Sequence, residues 1–215
     1  ITGLYYQRHL QAKFGVLTPG IELFEPVNFS RMHSGLMKKI VCSAADKMFI
    51  NACYALLFGN PDLAIKNLES ALSNDPQYTD CYFLLGSVYL NTGRFDKASE
   101  CFAKCRLLTT GLGESITKFI PGFKLSLCIT ANTTFTFFPD TIGLNLLLAI
   151  SQRNEGKPAL AIQTLEQLIS LMPANPELIF FLTLFYYESG SDSKLIELLK
   201  EIVPRDNLQA LMAIL

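Results

Sequence analysis

Apolar positions in residues 45–112 return at i, i+3, i+4 and i+7, the spacing that puts them on one face of a helix. The stretch "YFLLGSVYLNTGRFDKASECF" (82–102) shows the pattern most clearly. Tyr82, Leu85 and Tyr89 share a face, the chain breaks around Gly93, and Ala98 and Phe102 follow. Two antiparallel helices are predicted, with Gly93 in the left-handed conformation that ends the first. Gly86 and Ala98 are expected where the helices cross, because a bulky side chain there would push the axes apart. Phe102 then fills the space beside the crossing.

The same pattern recurs with a period of 34 residues. Slid back by that amount, Tyr82 falls on Met48, Gly86 on Ala52, Gly93 on Gly59, Ala98 on Ala64, Phe102 on Leu68 and Cys105 on Ala71. Downstream, Ala149, Gly156, Ala161, Leu165 and Pro173 match Gly86, Gly93, Ala98, Phe102 and Pro76. A further copy carries Leu182, Thr183, Tyr186, Gly190, Leu195 and Leu199. Four units result, at 45–78, 79–112, 142–175 and 176–209, each predicted as a helix pair ended at its midpoint by a glycine.

This pattern resembles the tetratricopeptide repeat: W-x2-L-G-x2-Y, then A-x3-F, then P. "YFLLGSVY" fits the first part with Tyr82 replacing Trp, and "ASECF" fits the second. There are departures. Thr110 stands where the second unit should have proline, and Asn51 and Ala55 replace the Leu and Tyr of the first. Gln152 replaces that Tyr in the third, and Thr183 and Leu195 occupy the small sites of the fourth. The resemblance covers about 136 of the 215 residues. It implies an all-α solenoid of antiparallel helix pairs. It also implies a concave groove lined by the first helix of each pair, with no catalytic role of its own. By resemblance, the partner-binding groove residues are Phe49, Phe83, Leu90, Ile150, Phe180, Leu184 and Tyr187, with Asp46, Cys53, Asp80, Ser87, Arg153 and Glu188 among their neighbours. Co-chaperones of this family grip an acidic tail with Lys and Asn. Here Phe49, Cys53 and Leu84 stand at those positions, so an acidic tail would lack donors.

Two stretches do not repeat. In residues 1–44, "LYYQRHLQAKF" (4–14) reads as a short helix, and "VLTPGIELFEPVNF" (16–29) as extended or hairpin-like around Pro19-Gly20. A helix is expected from Ser34, its cap, running into the first repeat. This segment would cap the array or fill its groove. Residues 113–141 interrupt the array. "FKLSLCIT" and "TFTF" alternate with period two, around a turn at Ala131-Asn132-Thr133, which suits a β-hairpin. A degenerate helix pair with Gly122 as its small residue would keep the array continuous and is the competing reading. Asp140 is expected to cap the helix that follows. Residues 45–112 and 142–215 then form two separate repeat pairs.

Composition narrows the function. Half the residues are hydrophobic, which argues against disorder. The 18 Lys/Arg and 19 Asp/Glu give no basic face for nucleic acid. Charge is uneven: residues 1–44 hold five basic and two acidic side chains, and residues 142–215 hold five and eight. The longest apolar runs, 142–150 and 178–187, fall well below the roughly 18 residues of a transmembrane helix. No signal peptide is visible. A chain that begins at Ile1 rather than Met is expected to be an excised or processed piece.

Six cysteines, Cys42, Cys53, Cys81, Cys101, Cys105 and Cys128, follow neither a disulfide framework nor a CxxC pattern. Free buried thiols in a reducing, cytoplasmic setting are the simplest reading. His9 and His33 offer neither a triad nor a metal set, and Asp75 and Asp80 flank a turn where capping is expected. No cofactor is implied. The sequence therefore points to a non-catalytic module that binds a protein or peptide with apolar anchors, or a second copy of itself, through an apolar groove. The alternative is a structural or regulatory spacer of a larger protein, its groove filled by its own N-terminal segment or insertion.

Overall fold

A computed structural model of the chain describes residues 20–22, 43–109, 124–130, 133–137, 140–173 and 175–202. Eight helices and three strands lie among them. The helices pair as α1 (Ala44–Leu57) with α2 (Pro61–Asn74), and α3 (Thr79–Asn91) with α4 (Phe95–Leu108). The next pairs are α5 (Thr141–Asn154) with α6 (Pro158–Leu171), and α7 (Pro176–Glu188) with α8 (Asp192–Ile202). Each helix packs on the next, so the four pairs stack into one array, the all-α solenoid that the period predicts.

The helix-crossing pattern is realised in the core. Ala52, Ala64, Ala98, Ala149 and Ala161 are fully buried, as are Leu68, Phe102 and Leu165 beside them. A Cβ on Gly86 would come within 2.8 Å of the Phe102 ring, so only glycine lets α3 and α4 meet there. The pair turns repeat one geometry. Gly59 has φ +74 and donates its N–H to Leu56 O at 3.0 Å, while Asn60 N–H reaches back to Ala55 O at 2.8 Å. The same two bonds recur at Gly93, Gly156 and Gly190, closing carbonyls that a helix end leaves open.

The helix start expected at Ser34 lies outside the described residues, and the repeat has its own start instead. Ser43 caps α1: its hydroxyl accepts from Asp46 N–H, and the Asp46 carboxylate accepts from Ser43 N–H, both at 3.0 Å. This reciprocal box satisfies two backbone donors and makes Ser43 a better start than a helix passing through it. Asp140 caps α5 as expected, accepting from Gly143 N–H at 2.8 Å. Asp75 accepts from Gln77 N–H in the turn before α3, but Asp80 lies in the first turn of α3, buried, and is not its cap. The expected helix at 4–14 lies outside the described residues.

The insertion contains a β-hairpin, β2 (Lys124–Thr130) with β3 (Thr133–Phe137), and not a degenerate helix pair. The array is nonetheless continuous. Helix α4 packs directly on α5, so the insertion leaves the array and returns to it without displacing a helix. Ser99 Oγ donates to Glu155 at 3.0 Å and Arg106 reaches Asn145 at 3.4 Å across that junction. A short strand from the leading segment, β1 (Gly20–Glu22), pairs antiparallel with β2. The sheet has the order β1-β2-β3, so the two non-repeating stretches meet each other.

Candidate functional site

The first helices α1, α3, α5 and α7 carry the residues that the repeat pattern assigns to a groove. Their apolar content follows from the sequence: α7, "PELIFFLTLFYYE", has large side chains on every face. Their burial is graded along the array. Phe49, Cys53, Leu90 and Ile150 are fully buried and Phe83 is 1% exposed. Leu184 is buried, Phe180 half-buried, and Tyr187 is 45% exposed. The face is thus closed over the first three repeats and opens at the fourth. Phe49 stacks on Tyr78 at 5.4 Å and Phe83 meets Phe102 edge-on at 6.0 Å, so both also serve the core.

The polar members of this face are not a uniform field. Asp46 and Asp80 hold the same position in repeats 1 and 2, and both are buried. Tyr78 donates its hydroxyl to Asp46 at 3.0 Å. Burial first, and then Asp80, Cys81 and Asp46, push the Tyr78 phenol far above its ordinary range, so it remains a donor. Toward the other end of the array, Arg153 grips Glu188 through both Nε and Nη2 and lies over the Phe185 ring at 5.9 Å. The pair joins repeats 3 and 4 across the inner face, in the bidentate geometry that suits a guanidinium and a carboxylate. Sequence reading placed Arg153 and Glu188 on this face but did not pair them.

A second feature was missed. Tyr89 donates to Glu69 and Tyr186 donates to Glu166, each at 2.6 Å. Both pairs are 20 residues apart and join the second helix of one repeat to the first helix of the next. The signal was present as a Glu and a Tyr at matched repeat positions. For Glu166, burial would raise the carboxyl, but bonds from Lys194 and Tyr186 hold it below its ordinary value.

The described cysteines lie in the core. Cys53, Cys81, Cys101 and Cys105 are free and buried. Burial above all, with nearby acids, raises every one of them, Cys101 and Cys105 to about 12, so they stay thiols at neutral pH. Among the described residues no group of His, Cys, Asp or Glu could hold a metal ion, and no helix is long and apolar enough to cross a membrane. The side chains of Cys42 and Cys128 lie outside the described residues.

Two family models, both described as tetratricopeptide repeat, match residues 55–107 and 145–173. MamA AMB-1 in one crystal form aligns with TM-score 0.55 and 16% identity, over 84% of this chain and 91% of that one. MamA MSR-1 aligns with TM-score 0.54 and 15% identity, over 86% and 93%. A Podospora anserina protein with nearly identical TPR-like repeats aligns with TM-score 0.52 and 15% identity, over 86% of each chain. At these identities the likeness is one of fold. No curated protein matches the chain. The 34-residue period, the left-handed glycine at each pair turn, the Gly86–Phe102 crossing and the two family matches agree: the chain carries tetratricopeptide repeats.

Proposed function

We propose that the chain is a non-catalytic protein-interaction module whose binding surface is the first-helix face of its array. The observation that carries this reading is the run of large apolar side chains along that face in all four repeats, from Phe49 and Phe83 through Leu90, Ile150 and Phe180 to Leu184 and Tyr187. Apolar anchors buried in such a surface contribute about 1.5–3 kcal/mol each before ordering costs. A helix or an extended peptide with apolar side chains suits it, and so does a second copy of the chain. Repeat 4, where Tyr187 is exposed and Phe180 half-buried, is the part a partner meets first. The four buried thiols favour a reducing, cytoplasmic compartment.

The test is affinity capture from a native lysate with the whole chain, set beside light scattering of the chain alone. Tyr187→Asp and Phe180→Ser touch the open end of the face and are expected to abolish capture or self-association while helical content is retained. Binding that survives both changes removes the face from the account. The burial of Phe49, Phe83 and Leu90 within a single chain favours a second reading, a spacer that fills its own groove. On that reading the chain captures nothing and stays monomeric.

A further inference from the structure

The small sheet has two edges, and they differ. At one edge is β1, only three residues long and ending in the charged Glu22. Short length and charge are common means of keeping an edge from pairing with another chain. At the other edge is β3, Thr133–Phe137, with the sequence "TTFTF". It is five residues long, holds neither charge nor proline, and consists wholly of β-branched and aromatic residues, the types that strands favour. Its pairing with β2 runs regularly from Leu125↔Phe137 to Cys128↔Thr134, and the one irregularity falls at the turn end, between Cys128 and Thr130. No bulge therefore bends the edge away over Thr134–Phe137.

Every second residue of β3 turns its N–H and C=O away from β2. Among the described residues no strand lies on that side and no helix packs along β3. Helix α4 packs directly on α5, so a strand added to this edge displaces no helix. We propose that β3 is a self-association edge: two copies of the chain pair β3 with β3, antiparallel about a two-fold axis, into one sheet ordered β1-β2-β3-β3-β2-β1. The register centred on Phe135 pairs all five residues. It sets Phe135 opposite Phe135, Thr134 opposite Thr136 and Thr133 opposite Phe137. Odd positions meet odd ones and even meet even, so whichever set turns outward finds its hydrogen-bond partners in the other copy. No like charges oppose each other, because the strand has none. The contact closes on itself, so assembly stops at two, and the only edges left are the two short β1 strands. This surface is separate from the first-helix face, and the inference stands whether or not that face binds a partner.

Sedimentation velocity of the whole chain, over a concentration series up to about 1 mM, reads the association. The wild type is expected to pass from monomer to dimer and no further. Thr134→Lys with Thr136→Lys sets like charges opposite each other across the two-fold axis, and so does Thr134→Glu with Thr136→Glu. Each pair is expected to weaken the dimer at least about tenfold. An equimolar mixture of the two folded variants sets Lys opposite Glu and is expected to restore dimerisation, which a damaged hairpin would not do. Tyr187→Asp, on the first-helix face, is expected to leave this dimer unchanged. The edge is overturned if the wild type stays monomeric throughout, if the dimer survives either charge pair, or if the mixture fails to recover it. A dimer lost in Tyr187→Asp and kept in the charge pairs also overturns it and points to the first-helix face instead. Should the charges unfold the chain, Phe135→Cys decides. That position faces its own copy, so oxidation is expected to yield a dimer linked there, located by peptide mass mapping, and no link at position 135 overturns the edge.

Discussion

The outer junctions of the array and its central junction are built differently. Between repeats 1 and 2, and between 3 and 4, the chain crosses in a short turn, Asp75–Tyr78 or Met172–Asn175. A Tyr–Glu bond of 2.6 Å spans each of these junctions. Between repeats 2 and 3 the chain leaves for residues 109–140 and makes a hairpin. Ala103 stands at the glutamate position there, and Gln152, at the tyrosine position, accepts from Thr164 of its own repeat at 2.9 Å. Yet α4 still packs on α5. Stacking is therefore set by the shape of the apolar faces. Chain continuity and the Tyr–Glu bond are secondary, and a long excursion is tolerated because loop entropy grows only slowly with length.

That ranking can be broken, and the largest expected effect lies inside a repeat. Gly86→Leu drives a side chain into the Phe102 ring and is expected to cost about 2–3 kcal/mol in urea unfolding, more than any junction change. A smaller cost would show that the crossing is looser than its 2.8 Å approach implies. Next come Tyr89→Phe and Tyr186→Phe, each expected to lower stability by about 1 kcal/mol, the worth of a hydrogen bond to a charged acceptor that solvent partly replaces. A loss near that of Gly86→Leu would make the outer junctions polar constructions after all.

Ten flexible residues inserted in the Asp75–Tyr78 turn are expected to cost about 1 kcal/mol, against about 0.2 kcal/mol in the long central connection. Equal costs would mean that the central connection is as tightly constrained as the turn. The smallest effect is acidic. The folded carboxyl of Glu166 lies below the ordinary 4.5, so its contribution is complete above that value and is lost as pH falls through the depressed one. Glu166→Gln should flatten that part of the acid unfolding curve, and an unchanged curve would remove the Lys194 and Tyr186 bonds from the stability of the last junction.

What the sequence disclosed, and what it withheld, follows the range of each interaction. Gly86, Ala98 and Phe102 could be read because a crossing is local to one repeat and recurs in the others. The pair-turn glycines were legible for the same reason. The insertion stayed divided between two readings because its two-residue alternation favoured strands, while continuity of the array favoured helices. The structure satisfies both by extruding the hairpin. The tyrosines of the Tyr–Glu pairs stand at the last position of the first-helix pattern, but Glu69 and Glu166 lie outside the family pattern, so the pairing lay within reach only of the repeat alignment. The full burial of Phe49 and Phe83 could not be read at all. A repeat code says which side chains face inward, not how completely each is buried. The pairing of Ile21 with Leu125 likewise leaves no local trace, since strand partners so far apart in sequence are chosen by the finished fold.

The small sheet also sets a timetable. Gly20 emerges from the ribosome long before Ser126, its partner. At the usual pace of synthesis the wait is roughly 5–20 s, long enough for the first two helix pairs to form. During that interval the leading strand has no mate. A chaperone meeting the growing polypeptide would find an open strand edge at Gly20–Glu22 that β2 later pairs.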